Sequence, residues 1–554
     1  VGPPIIPRHL FIMGYRLGEV PIASKGFPLD PAVRIWYRDR LDRGRKAKQR
    51  QLLNVGPFAP PMADRDHMAT FVQGVKERLC SEPLPVRPAS KHSIRQKRLR
   101  EQLEAIKLDP ECKREEPLFN MAEFRSFVRM YIRRHLTPLR GDEVMSDEEY
   151  AKTLSKTERE INDFREAHRD YRTNRREHYW KLHGKLECYV DDFKPMRDIC
   201  GCDDADKFEF GPTVKSVEKR VYHELRQHFM KGTAIHEYPQ ALKEKVYLAG
   251  IGYVVTDFTR FALHFSSEFM WNCECQLYKH MFPDPDMALR YCQYITQDHI
   301  IKARNGMRLK LPGRRMSGDL ITSLGNGFTN LMLAQYFYWK LNNVEWIGVV
   351  EGDDGLFQNV GIIPTAQDYL DAGFRLKLKK VETFTEASFC GIRADEMALQ
   401  NIADPREIML KASYSHSQLM FGEKNMQGLL RAKALSILCE YPACPIITTF
   451  ARRIKFLTEG QEALYLRDWA FREWLASSVD AKAYEMHETI HPRTRVMMEK
   501  MYDIGIAQQQ SIEESIESMT LDDFSNISDF MWTHPSAGIW HDYFLMYHSA
   551  SRVM

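Results

Sequence analysis

Two short β-type runs in this 554-residue chain meet at Gly352-Asp353-Asp354-Gly355, and that junction constrains the fold more than any other stretch. The segment Trp346-Ile-Gly-Val-Val-Glu-Gly-Asp-Asp-Gly-Leu-Phe357 reads as strand, turn and strand, a hairpin with two carboxylates at its tip. Adjacent acids at a tight turn repel each other unless a cation is near. Hard oxygen donors of this kind suit Mg²⁺, which keeps several waters and shares itself with substrate phosphates. The plainer alternative is an ordinary Asp-Gly turn.

A second β run, Val254-Val-Thr-Asp257, also ends in an acid, well upstream of the hairpin. A carboxylate at the end of one strand, facing two on a neighbouring hairpin, is what a two-metal phosphoryl-transfer site requires. Between them, Arg314-Arg-Met-Ser-Gly-Asp-Leu-Ile-Thr-Ser-Leu-Gly-Asn326 places a Ser-Gly loop before a helix. Thr322 and Asn326 lie four apart, so both project from one helix face, where they are placed to hydrogen-bond a ribose. Taken alone, Ser-Gly-Asp is a common turn and helix cap.

The rest of the composition excludes more than it identifies. With 44% hydrophobic and 28% charged residues and a mean hydropathy of −0.45, the chain has core enough for several structural units and is not disordered. No apolar stretch approaches the ~18 residues that span a bilayer. Val1–Leu17 is broken by Pro3, Pro4, Pro7 and Arg8, unlike a signal peptide, and the start at Val1 is what a piece of a longer product would show. The net charge of +3 is nearly neutral. Its distribution is not, with basic runs at Arg34–Arg50 and Lys91–Arg100 and an acidic group at Glu513–Asp523, compatible with gripping a polyanion or with solvated helix faces. Eleven scattered cysteines suggest a reducing compartment. Cys200-Gly-Cys202 and Cys273-Glu-Cys275, with His264 or His280 near, lack the spacing of zinc knuckles, so structural zinc is not expected.

Along the chain, helical patterns dominate the first third, with one or two polar helices over Tyr150–Lys185, and an amphipathic stripe (Val217, Val221, Leu225, Phe229) follows over Lys215–Met230. Short β runs follow at Gly252–Thr256, Trp346–Glu351, Leu356–Val360 and Phe389–Ile392, around a buried helix over Thr322–Leu341. Helical patterns return at Gly428–Cys439 and Gln461–Ser477.

The order of an acid strand, Arg-Met-Ser-Gly-Asp with Thr and Asn following, then Gly-Asp-Asp, resembles motifs A, B and C of viral RNA-directed RNA polymerases of positive-strand viruses. The likeness is to the tombusvirus-like and flavivirus-like group. Gly373-Phe374 with Lys377, Lys379 and Lys380 resembles motif D, and Phe389-Cys390-Gly391 resembles motif E, the primer grip. Lys194-Pro-Met-Arg197-Asp-Ile199 and Gly211–Glu218 resemble motif F and the segment after it.

The resemblance implies an α+β right hand, with an antiparallel-sheet palm and mostly helical fingers and thumb. Residues 1–246 would form an N-terminal extension and fingers, 247–400 the palm with a fingers insertion at 266–311, and 401–554 the thumb and C-terminal segment. Asp257, Asp353 and Asp354 would be catalytic and bind Mg²⁺, with Mn²⁺ as a substitute. Lys194, Arg197, Ser317, Gly318, Asp319, Thr322 and Asn326 would contact the NTP and its ribose. Lys377 or Lys379 would be the general acid toward pyrophosphate; as plain chemistry these lysines would be a solvated strand edge. Template and nascent RNA, NTPs and other viral replication proteins would be the partners, in the host cytoplasm on membranes reached through those partners. Met531–Tyr547, rich in aromatics, is a candidate priming platform or plain core packing.

Two departures from the family pattern stand out. Motif A usually has a second Asp five residues after the first, where this chain has Ala262. The resemblance assigns that Asp to the 2′-hydroxyl, so ribose selection falls to Asn326, Asp319 or Thr259, and one lost contact is worth about 1–3 kcal/mol. Motif F has Cys200-Gly-Cys202 where relatives often carry an Arg, unless Lys207 supplies that charge. A polymerase-shaped RNA scaffold with impaired catalysis and, further off, a reverse transcriptase are the rival readings. No Gly-x4-Gly-Lys-Ser/Thr run is present, which excludes a P-loop ATPase.

Overall fold

The computed structural model describes residues 73–87, 101–102, 104–105, 116–154, 158–174, 178–184, 197–303, 308–320, 322–413, 423–463, 489–521, 530 and 533–534. Its strands are β1 (Trp180–Gly184), β2 (Asp198–Gly201), β3 (Tyr253–Phe258), β4 (His299–Ala303), β5 (Arg308–Leu311), β6 (Gly348–Glu351), β7 (Asp354–Gln358), β8 (Leu376–Val381), β9 (Arg393–Ala394) and β10 (Asn401–Ile402). Among the described residues, three small sheets and many helices make a mixed α/β fold.

The central sheet has the order β6-β7-β3-β8, with every pair antiparallel. β3 is almost continuously apolar because both of its faces are covered, and Tyr253, Val254 and Phe258 are buried. The outer edge of β6 is closed by the chain at His228–Phe229, where the Val350 N–H donates to the His228 carbonyl (2.8 Å). Below the sheet a cluster of Met230, Leu242, Val246, Val349, Leu356, Val381 and Phe389 packs together. Above it the helix Thr322–Asn342 crosses, buried on nearly every side, which explains its near-continuous apolar sequence.

The second sheet, β2-β1-β4-β5, draws on segments far apart in sequence and pairs β1 parallel to β4. The polar pattern over Tyr150–Lys185 predicts helix. Helices Asp147–Thr153 and Glu158–Asn174 are present, but Trp180–Gly184 is strand. Trp180 decides this, stacking on Tyr294 and donating its indole N–H to His299 Nδ1 (3.0 Å), contacts available only in the folded chain. The stripe predicted over Lys215–Met230 is buried as expected. Its helix runs Asp204–Glu224, capped by Asp203, and leaves Phe229 to bridge Val350. At Phe389–Ile392 there is a tight turn instead of a strand. Cys390 (φ 51°) and Gly391 (φ 79°) are both left-handed, and Phe389 and Ile392 exchange backbone hydrogen bonds (3.0 and 2.9 Å).

Beyond residue 400 a separate hydrophobic cluster, from Ile402 to Met519, joins the helices Glu423–Glu440 and Ile447–Leu457 to Pro492–Tyr502 and Ile506–Glu517. The pattern over Gln461–Ser477 falls largely outside the described residues, as do the basic runs at Arg34–Arg50 and Lys91–Arg100 and nearly all of Met531–Tyr547. Among the described residues no helix is long and apolar enough to cross a membrane.

Candidate active site

The central sheet brings the acidic ends of β3 and of the β6–β7 hairpin together. In the strand register Asp257 stands opposite Asp354 on one side and Lys377 on the other. The Lys377 ammonium lies 3.7 Å from Asp257 Oδ2. The hairpin turn consists of Gly352 and Asp353, with Gly352 at φ 58°, the left-handed first position that a type II′ turn gives to glycine. Asp353 therefore sits at the tip, while Asp354 is already the first residue of β7. The Phe258 N–H reaches the Asp353 carbonyl (3.4 Å), tying the end of β3 to the turn.

Crowding shows in the electrostatics. Burial, the adjacent Asp353 carboxylate and Asp257 push Asp354 up to about 6, against the pull of a hydrogen bond from the Cys390 thiol. Asp353 is exposed at the turn yet hemmed in by protein, and this partial desolvation raises its carboxyl foremost. Its own backbone N–H opposes that shift, Asp257 adds to it, and Arg197 pulls it back down. Asp257 thus acts to raise both Asp353 and Asp354, and their crowded oxygens are of the kind that a hard divalent cation takes. Among the described residues no group of three or more His, Cys, Asp or Glu side chains is arranged so that it could hold a metal ion.

The Ser317–Gly318 loop is stitched to β2. Ser317 Oγ accepts from the Cys200 N–H (3.0 Å) and donates to the Asp198 carbonyl (3.2 Å). The Gly318 N–H donates to the Cys200 carbonyl (3.0 Å), and a Cβ on Gly318 would stand 2.9 Å from that oxygen. Arg197 leads into β2, exposed and close enough to act on Asp353. Lys194 lies outside the described residues. Lys207 donates to Asp204 (2.7 Å) and lies over the Phe164 ring. Cys200, Cys202, Cys273 and Cys275 are free buried thiols, and His280 donates to the Leu136 carbonyl (3.0 Å).

Asp319 is placed under the loop. Its carboxylate is buried 3.6 Å from the Arg315 guanidinium, which also pairs with Glu274. Burial pushes Asp319 up to about 7, with Arg315 opposing. Thr322 donates to the Met316 carbonyl (3.0 Å), closing the loop on itself. The Asn326 side-chain oxygen is buried and has no hydrogen-bond partner among the described residues.

Sequence reasoning missed Asn330, one turn beyond Asn326. It is buried on the Thr322–Asn342 helix and donates to the Gly352 (3.3 Å) and Asp354 (3.0 Å) carbonyls, gripping the hairpin turn. The available signal was an amide four residues after Asn326 in an otherwise apolar helix. It missed Glu274 as well, whose only clue was a charge inside an apolar segment.

Acids converge at one end of the central antiparallel sheet, with the Lys377 ammonium and the charge of Arg197 opposing them. A family model described as viral RNA dependent RNA polymerase matches residues 207–523, more than half of the chain, and the chain belongs to that family. Membership brings with it, at family level, nucleotidyltransferase activity on RNA. The matched span includes Asp257, Ser317–Asn326, Asp353, Asp354, the motif D lysines and Phe389–Gly391, but not Arg197. No curated protein matches the chain.

Proposed function

We propose that this chain copies single-stranded RNA, attaching NTPs to an RNA 3′ end and releasing pyrophosphate, to replicate a viral genome. The right-hand reading assigns 1–246 and the 266–311 insertion to fingers, the remainder of 247–400 to the palm, and 401–554 to the thumb. The observation that carries it is the register placing Asp257 opposite Asp354 and beside the Asp353 turn.

Asp257, Asp353 and Asp354 would hold Mg²⁺, or Mn²⁺ in its place, which when bound lowers the pKa of the attacking hydroxyl and neutralises phosphate charge. Arg197 and Lys194 balance the charge of the triphosphate. Asn326 offers its unpartnered oxygen to a ribose hydroxyl, with the Ser317–Gly318 loop and the Thr322 hydroxyl fixing where that helix begins. Lys377 is positioned to hand a proton to the departing pyrophosphate. The Phe389–Gly391 turn, bonded through the Cys390 thiol to Asp354, supports the primer strand beside the hairpin. RNA is held by backbone contacts, so binding weakens as salt rises. Other viral replication proteins carry the enzyme to membranes in the host cytoplasm.

The test is incorporation of labelled NTPs on a single-stranded RNA template by the full chain beside Asp353→Ala, with Mg²⁺ and with Mn²⁺, primed and unprimed. Template-dependent product that disappears in the variant, with RNA affinity held within about threefold, supports the reading. Product persisting in Asp353→Ala overturns the site. No product from the wild type under any condition, with RNA binding intact, favours the scaffold reading.

A further inference from the structure

The segment 73–87 lies upstream of the residues shared with the family, yet it is fastened to one element of the site after another. Its single wide helical turn, Lys76–Cys80, buries Val75 and Leu79 in the main core. Arg314, itself buried, donates from Nη1 to the carbonyls of Leu79 (2.6 Å) and Ser81 (2.8 Å). Glu77 forms an ion pair with Arg260. The charge of Arg78 acts on Asp198 at the start of β2. Further along, the Arg87 N–H donates to the Asp371 carbonyl (2.9 Å), and a Cβ on Gly373 would stand 3.0 Å from the Leu84 carbonyl.

Each anchor adjoins a residue of the site. Arg260 closes the turn after Asp257, Arg314 leads into Ser317, Asp198 follows Arg197, and Asp371–Gly373 lead into the strand carrying Lys377. Arg260 is left-handed (φ 53°), a conformation that a non-glycine residue keeps only where its surroundings fix it. Here the Leu263 N–H donates to the Arg260 carbonyl (2.9 Å), and Glu77 holds the Arg260 side chain.

We propose that residues 75–87 are a positioning strap: Glu77 acts through Arg260 to fix the turn that follows Asp257, so nucleotide use depends on a segment outside the family-shared region. Glu77 touches no reacting atom in this reading; it is a positioning residue. The kinetic consequence rests on the polymerase reading above, whereas the mechanical one does not.

The experiment compares the full chain with Glu77→Arg, Arg260→Glu and the double exchange, reading amide hydrogen exchange over 258–264 and steady-state NTP kinetics. Each single reversal should speed exchange in that turn and raise the KM for NTP about two- to fivefold, the range for a partly exposed ion pair, with kcat changed less than about twofold. The double exchange should restore both. Unchanged exchange in the single variants, or no recovery in the double, overturns the strap. A loosened turn in a chain whose wild type incorporates nothing overturns the polymerase reading and upholds the strap as a brace of that turn.

Discussion

Asp257 and Lys377 face each other across β3 and β8, with the lysine ammonium 3.7 Å from Asp257 Oδ2. Both side chains are largely exposed (50% and 73%), so the pair contributes at most about 1 kcal/mol and parts easily. Lys379, two residues on, stands opposite Val255 instead.

That difference in register separates the two candidate general acids. Lys377→Ala should lower kcat for single-nucleotide incorporation on the order of 100-fold, as loss of a general acid does, with Lys379→Ala costing only a few-fold. Pre-steady-state incorporation by both variants checks this, and equal losses would refute the assignment.

Gly325 faces the buried pair of Arg315 and Glu274, and a Cβ there would run into both side chains. Parting a buried ion pair costs about 3–5 kcal/mol, more than the roughly 1 kcal/mol that alanine gains over glycine in a helix. Gly325→Ala should therefore lose about 2–4 kcal/mol in a denaturant melt. Gly141→Ala, where nothing lies within 4 Å of the new Cβ, should stay within about 0.5 kcal/mol of wild type.

Two buried carboxyls, Glu274 and Asp319, share the single Arg315 guanidinium, and burial lifts Asp319 to about 7. A carboxyl raised above its unfolded value stabilises the fold fully below the unfolded pKa, near 4. That contribution is lost as pH rises through the folded value. Wild type should thus lose stability between about pH 4 and pH 7 from this group. Asp319→Asn, neutral throughout, should lose less over the same interval, measured by denaturant midpoints at each pH.

Ala262 occupies the Phe261–His264 turn, half-buried, where a second motif A acid is usual. Ala262→Asp should raise the NTP-over-dNTP ratio of kcat/KM on the order of tenfold, the worth of one buried hydrogen bond. An unchanged ratio would mean that Asn326 or a neighbour already makes that contact.

Much of this was legible in the residues. Acids ending a β run at Asp257, a glycine forcing the turn at Gly352, and Thr322 opening a helix are local statements, and they announced both the central strands and the order of the motifs. Where the pattern misled, a distant partner intervened. Trp180–Gly184 became a strand because Tyr294 and His299 receive Trp180, and Phe389–Ile392 became a turn because two left-handed residues reverse the chain there.

The sequence by itself determined the chemistry on offer, namely which acids, lysines and amides exist and in what order, because backbone turns and strand propensity depend on near neighbours. The tertiary structure alone decided which of them meet. Strand register chose Lys377 over Lys379 as the neighbour of Asp257. Helix packing aimed Asn330 at the hairpin, and chain crossing laid Glu77 against Arg260. Such pairings are long-range, and no local pattern specifies a partner whose proximity is fixed only when the whole core closes.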